Sequence, residues 1–286
     1  MMGIEYSSTR EVIHLLLKSK PFMIGLILVL SVSAIAISAD YISKYSPLDF
    51  VGEPFTPPTS KYYLGTDDMG RDIYSMTVYG SRVSLIVGLT AAVLTTLLGM
   101  SIGIISGMNR GIIDAIIMRI IDFLLAIPYL VIALSILAFL KPNLFIIILI
   151  IAVLGWISTA KVVRAQTITV MESAFVESAE AIGASQLHIA LKYVIPNVIH
   201  VVLSSLVLNV RDAILFEASL SFLGFGDPRY VSWGTMLFFA RRGGAFAAGA
   251  WWCIIPPGLM IMITVLGFTL MAVGLDEVLN PRLRKI

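Results

Sequence analysis

Cysteine is almost missing from this chain. Cys253 is the one thiol in 286 residues, so no intrachain disulfide can form. It stands in an apolar run, where the expected state is a buried, inert thiol. Charge is also scarce. Asp, Glu, Lys and Arg supply 13% of the residues, against about 25% in soluble domains. A soluble fold of this length would need more polar surface than that. The formal net charge is +2 and no Lys/Arg cluster occurs, so nothing points to nucleic acid. The three histidines, His14, His188 and His200, are scattered and form no metal-ligand spacing with Cys or Glu. No G-x-x-x-x-G-K-[S/T] phosphate loop occurs, so nothing cradles a nucleotide. A nucleophile elbow is absent too. The chain therefore does not read as an enzyme on its own, and no internal repeat stands out.

What is abundant is hydrophobicity. Apolar residues make up 58% and the mean hydropathy is +0.94. Residues 1–20 are mixed polar, with Arg10, Lys18 and Lys20. Residues 21–39 carry no charge and approach the ~20 residues a helix needs to span about 30 Å of hydrocarbon. They are too long for a signal peptide's apolar region, so an uncleaved first span is expected. Residues 40–82 are the longest polar stretch, where Pro47, Pro54, Pro57 and Pro58 argue against a continuous helix. Five further spans fall within 83–274: residues 83–109, 123–140, 144–160, 198–220 and 251–274. Pro128 predicts a kink in the third, and Pro256-Pro257-Gly258 interrupts the sixth near its start. Lys141-Pro142-Asn143 is a tight turn that makes the third and fourth spans antiparallel neighbours. Lys161 and Arg164 follow the fourth span, and residues 275–286 form a polar tail. The expected fold is an all-α membrane protein of six transmembrane helices.

Several positions stand out inside that frame. Gly99, Gly103 and Gly107 recur every four residues and would let another helix approach closely. Arg119 and Asp122 are three apart and can pair on one helical face. The fifth span holds His200, Asn209, Arg211, Asp212 and Glu217. Ionisable groups at membrane depth face a bundle interior or a water cavity. Asn209, Arg211, Asp212 and Glu217 are therefore candidates for a translocation path; a headgroup position near the helix end is the alternative. Neighbours on a helix point about 100° apart, so Arg211 and Asp212 are not expected to pair. Trp233, Trp251 and Trp252 read as interfacial anchors.

Between the fourth and fifth spans, residues 166–197 are amphipathic. Ile168, Met171, Phe175, Ala179 and Ile182 recur at gaps of three and four, the apolar face of a helix. Gly183 suits a left-handed turn just past a helix end. Ser185 can cap a second helix, and Pro196 is expected to close it. The shape is a helix-turn-helix held outside the lipid, suited to docking; lying flat at the membrane surface is the alternative.

This stretch resembles the coupling loop of binding-protein-dependent ABC importers. That loop carries Glu-Ala-Ala, a glycine four residues on and a proline thirteen after the glycine. Here those positions are Glu177, Ser178, Ala179, Gly183 and Pro196, with Ser178 for the first alanine. The polar stretch resembles the dipeptide, oligopeptide and nickel branch, in the C-type permease. It carries LGTD at Leu64 to Asp67, GRD at Gly70 to Asp72, then Ser75, Gly80, Arg82, Ser84 and Leu85. Gly111, Asp114 and Arg119 fit the family's GxxDxxxxR. Glu217 to Gly226 and Trp233 to Leu237 match its E-x-x-LSFLG-x-G and WG-x-ML. Asp276 to Arg284 resembles the closing D-x-L-D-P-R-L-R, with Asn280 for aspartate.

The resemblance implies a permease subunit of an ATP-driven importer. ATP and magnesium would sit on two cytoplasmic ATPase subunits, with no cofactor on this chain. It also implies a second homologous permease, an extracellular or periplasmic solute-binding protein, and the lipid bilayer. The 166–197 loop and both termini would be cytoplasmic, and 40–82 an external loop. Lys and Arg then number eleven on the cytoplasmic side and eight outside, the sign of the positive-inside rule. Cargo would be peptide, or in the same machinery oligosaccharide or nickel. A proton-driven secondary transporter using Asp212 and Glu217, or a membrane scaffold, belongs to another class.

Overall fold

The computed structural model describes residues 9–279. Among them there is no strand, and two isolated bridges, Phe50–Arg71 and Thr66–Asp72, are the only β-type pairs. The expected calls on residues 1–8, and on the tail from Asn280, lie outside the described residues.

The chain begins with a short helix, α1 (Thr9–Lys18), inside what reads as a polar tail. Ser19 breaks it and caps α2 (Lys20–Ile37), the first long apolar helix. After α3 (Ala39–Ile42) and the polar loop comes α4 (Ile73–Met108). At 36 residues it is about 54 Å long, beyond the ~30 Å of hydrocarbon. It starts ten residues before the expected span, because Asp72 accepts from the Ser75 backbone N–H at 2.8 Å and caps it.

The expected third span is two helices, not one kinked one. α5 (Ile112–Leu125) and α6 (Tyr129–Phe139) meet at 82°. Pro128 has no N–H to give and disfavours a helical residue before it, so α5 stops and α6 restarts beyond the proline. α7 (Leu144–Met171) is capped by Asn143, whose Oδ1 accepts from Ile146 N–H at 2.9 Å. It runs past Lys161 and Arg164, which are helical residues and do not follow the span. Then come α8 (Ala174–Ala181), α9 (Gln186–Ile189), a π-helical turn (Ala190–Val194) and α10 (Ile195–Leu220). A second π turn (Ser221–Phe225) leads to α11 (Trp233–Arg242), and the chain closes with α12 (Ile255–Leu279). Five helical runs are long and apolar enough to cross a membrane, with α5 and α6 a bent sixth among the described residues.

The packing centre is α4 against α7 and α10. Gly99, Gly103 and Gly107 form the seam with α7, as their spacing suggests. A Cβ at Gly99 would stand 2.6 Å from Thr159 Cβ, and one at Gly103 2.7 Å from the Ala160 carbonyl oxygen. At mid-helix the Asn209 side-chain amide donates to Thr96 Oγ1 at 2.9 Å and to Thr159 Oγ1 at 3.0 Å. One buried side chain on α10 thus ties α4 and α7. On the other flank α2 lies against α12, and Ser19 Oγ donates to Glu277 at 3.4 Å. The start of α2 and the end of α12 therefore share the end of the bundle that carries Gly183. Residues 43–72 and α11 occupy the opposite, Trp233, end. Many side chains on the outer faces stay half-exposed, Ile27, Leu97, Ile116 and Met262 among them, which is the belt a bilayer would cover.

Replacing Gly103 by leucine should force α4 and α7 apart, at a cost of roughly 1–3 kcal/mol or more. The melting temperature in detergent should fall. Gly258→Ala is the control, since nothing lies within 4 Å of the added carbon; it should leave the melting temperature unchanged or slightly raised.

Candidate functional site

Two features project from this frame: the turn at Gly183 and a cavity beside α10. The turn is built locally. α7 ends at Met171, and the chain re-enters α8 after Ser173, so the expected face from Ile168 to Ile182 is split between two helices. Val176 is buried in one cluster with Val170, Ile189 and Val194, and Ala179 is buried as well. Gly183 has φ +84°, and a Cβ there would meet nothing within 4 Å. Its requirement is purely of the backbone. The Ala184 N–H reaches back to the Ala179 carbonyl at 3.0 Å and closes the turn. Ser185 accepts from His188 N–H at 3.3 Å and caps α9.

Pro196 does not end the second helix. It follows a π turn in which Ile195 N–H bonds the Ala190 carbonyl, five residues back, and that wider turn carries the chain past the residue without an N–H. The helical run continues from Gln186 until Gly224, whose φ of +99° leaves the helix. Tyr193 on the π turn stacks on Phe175 of α8 at 5.8 Å and meets His188 at 6.0 Å, which fixes α8 to the foot of that run. The tip is left apolar and open: Ile182 is 87% exposed and Leu187 69%. Glu177 and Ser178 are exposed as well; Ser178 Oγ donates to the Ala174 carbonyl at 2.7 Å.

Ion pairs brace the helices that carry this turn. Arg164 on α7 binds Asp114 of α5 through two hydrogen bonds, and Ser106 of α4 donates to the same carboxylate. Arg110 reaches Glu172 at 2.8 Å. The expected pairing of Arg119 with Asp122 is absent among the described ion pairs; Asp114 is the member of that motif that is used. The glycine seam brings α7 close enough for Arg164 to reach Asp114.

The 82° elbow holds a cavity of about 540 Å³ between itself, α7 and α10. Leu124, Pro128 and Tyr129 line it from the elbow, Ser158 and Lys161 from α7, Asn209, Asp212 and Phe216 from α10. Of the four path candidates, Asn209 and Asp212 are on its wall. Arg211 and Asp212 do pair, contrary to expectation: Arg211 Nε donates to Asp212 Oδ1 at 2.8 Å. A long guanidinium stem spans the 100° that separates their Cβ atoms. Glu217 is off the cavity and 1% exposed. Its Oε1 accepts from Ser221 at 2.6 Å and from Ser232 at 2.7 Å, clasping α11 to α10. Asp212 and Glu217 thus share no cavity, which removes the pair that a proton-driven reading would use.

The sequence motifs at the Trp233 end are structural. Asp67 accepts from the Met69 and Arg71 backbone N–H groups and from Arg71 Nε, while Arg71 lies over the Phe239 ring at 4.2 Å. Trp233 is fully buried, packed on Gly80, with Nε1 donating to the Thr77 carbonyl at 3.1 Å. Trp252 is buried too and donates to Thr66 O at 3.0 Å. Neither is an interfacial anchor; Trp251, 54% exposed, fits that role. Cys253 is buried. Sequence reasoning missed α11, whose one signal is the capping pair Ser232 and Thr235.

This arrangement, long spans around a cavity with an exposed helical turn at one end, defines a polytopic membrane permease. The family described as the binding-protein-dependent transport system inner membrane component matches residues 99–285, and the chain belongs to that family. It is 37% identical to a putative peptide transport system permease protein of Brucella suis biovar 1, over 94% of this chain and 90% of that protein. It is 34% identical to the dipeptide transport system permease protein DppC of Bacillus subtilis, over 98% and 87%. With the oligopeptide transport system permease protein OppC of the same organism the identity is 37%, over 93% and 87%.

Asp227 permits a pH test of the Trp233 end. The Arg229 guanidinium holds its carboxyl below the usual range, helped by the Arg229 and Leu144 backbone N–H groups. A depressed folded pKa stabilises above the unfolded value of about 3.9 and loses that stabilisation as pH falls through the folded value. Asp227→Asn should therefore lower stability by about 1–2 kcal/mol at pH 7, Arg229 being solvent-screened. The gap to the unsubstituted protein should narrow as pH falls below the unfolded value of about 3.9 and through the depressed folded value, measured by thermal melts across pH.

Proposed function

We propose that this chain is one permease subunit of an ATP-driven peptide importer of the cell membrane. The observation that carries the reading is the turn at Gly183, where a rigid helical foot holds an apolar tip out of the bundle. Ile182 and Leu187 cover no part of this chain, so they are free to enter a partner. The relatives are named as peptide, dipeptide and oligopeptide permeases, which supports peptide over oligosaccharide or nickel as cargo.

In this reading the Gly183 end and both chain termini face the cytoplasm. Two ATPase subunits, which carry ATP and magnesium, grip the turn. Glu177, at the first turn of α8, is placed for an N–H or guanidinium donor of the ATPase. Ser178 and Ala179 keep the helix narrow where it docks. A second, homologous permease completes the path, and an external binding protein delivers cargo at the Trp233 end. Closure of the ATPases pushes the tip, and the Gln186–Phe225 run moves as one body because Tyr193 locks α8 to its base.

Gly183→Pro tests this. Proline fixes φ near −65° against the observed +84° and removes the N–H that bonds the Glu180 carbonyl. Membrane insertion should be normal while ATP-dependent peptide uptake by the reconstituted assembly falls at least about tenfold, as a lost drive of ~1.4 kcal/mol would give. Uptake at the unsubstituted rate would overturn the coupling role.

A further inference from the structure

The cavity at the elbow holds a charge for which nothing above has a use. Lys161 stands on α7 ten residues before its end, about 15 Å of helix, and lines the cavity. Its ammonium enters none of the ion pairs among the described residues. An ammonium inside a membrane helix is costly and demands an anion or water. Across the cavity stands Asp212, whose side chain is 58% exposed. Arg211 touches its Oδ1, and Oδ2 takes part in none of the hydrogen bonds among the described residues.

The spacing of the two charges follows from the helices. Thr159 and Asn209 are hydrogen-bonded, so they stand at one level. α7 and α10 run in opposite directions. Lys161 lies two residues past Thr159 toward the Gly183 end, and Asp212 three residues past Asn209 toward the Trp233 end. At 1.5 Å per residue the two are separated by roughly 7–8 Å along the axis. An extended peptide advances about 3.3–3.6 Å per residue, so two to three residues cover that gap. The volume lies in the ordinary range for small-molecule sites, about 300–1,000 Å³, and the rest of the wall is mostly apolar, with Thr95, Ser158 and Asn209 its uncharged polar members.

We propose that Lys161 and Asp212 are the two poles of a transit site for a short zwitterionic peptide. Lys161 takes the terminal carboxylate, nearer the Gly183 end, and Asp212 the terminal ammonium, nearer the Trp233 end. Apolar side chains of the cargo rest on Tyr129 and Phe216, whose rings meet at 4.7 Å. This site rests on the peptide-importer reading and adds to it a recognition step inside the membrane, after release from the binding protein. The competing occupant of the cavity is a helix of the second permease subunit.

The test uses the whole assembly in liposomes, with radiolabelled di-, tri- and tetra-alanine as cargo and with ATP hydrolysis read in parallel. Lys161→Met should cut uptake per ATP hydrolysed about tenfold for the di- and tripeptide. Stimulation of hydrolysis by the loaded binding protein should stay at the unsubstituted level, and Lys161→Arg should retain uptake. Equal uptake by Lys161→Met and the unsubstituted assembly overturns the transit site alone. Loss of uptake, hydrolysis and assembly together, in both Met and Arg variants, makes Lys161 structural and also overturns it. No ATP-driven uptake of any of the three peptides by the unsubstituted assembly sinks the peptide-importer reading instead. Because Cys253 is the one cysteine and is buried, Lys161→Cys reports the competing occupant. Labelling by a water-soluble thiol reagent, slowed by millimolar trialanine, supports the site. A thiol blocked in both nucleotide-free and ATP-trapped assemblies means the second subunit fills the cavity, and the proposal fails.

Discussion

Asn209 is the residue on which this arrangement turns. In a bilayer each buried polar group must find its partner within the protein, and a side-chain amide has two N–H donors to place. Asn209 places them on Thr96 and Thr159, one on each neighbouring helix. That is possible only because the glycines of α4 admit α7 so closely that both threonines face the same point. The seam and the amide are one device: close backbone approach creates the site, and the hydrogen bonds hold α10 in it. Beside these three helices, the chain between α4 and α7 is not a straight span. It bends at Pro128 and leaves the cavity against α7 and α10.

The two ends of the bundle differ in kind. At the Trp233 end polar groups are consumed internally. Asp67, Asp72 and Ser232 spend oxygens on capping or clasping neighbours, Glu217 does so through Oε1 while its buried Oε2 has no partner among the described residues, and Trp233 and Trp252 fill the space between them. At the Gly183 end Ile182, Leu187 and Glu177 spend nothing on this chain. A closed end and an open end joined by long helices suit a body that is held at one side and moved from the other.

Much of this was legible in the sequence, and the failures have physical causes. The glycine repeat, the left-handed Gly183 and the Ser185 cap depend on local geometry, and each took the form its spacing suggests. Helix ends differ from the expected ones at Val83, Phe123 and Ala160, because hydropathy marks where lipid stops and helices continue beyond it. Pro196 reads as a terminator in the sequence, but the π turn before it shifts the hydrogen-bond pattern and carries the helix past the missing N–H. Trp233 looked like an interfacial anchor since nothing local reveals Gly80, 153 positions earlier in the chain, beneath its ring. Glu217 reads as a path residue for a related reason: Ser221 is four residues on, but its other partner, Ser232, caps α11 and is brought near only by the fold. The motifs LGTD and GRD were recognisable as signatures, yet their task as the knot under α11 needed coordinates.

The helical run from Gln186 to Phe225 sets how movement at the tip would reach the cavity. Asn209 divides it into arms of roughly 35 and 24 Å, with Tyr193 and Phe175 binding the tip to one arm and the Glu217 clasp holding the other. A helix pinned near its middle responds to a push at its foot by tilting about the pin, not by sliding. Asp212, one turn beyond Asn209, then moves against α7, while Thr159, at the pin, does not. In the proposed stroke the width between Asp212 and Lys161 would change by about an eighth of the tip's displacement, Asp212 lying about 4.5 Å from the pin and the tip about 35 Å. Asp114 and Arg164 keep α5 moving with α7, so the elbow wall stays with Lys161 as Asp212 swings.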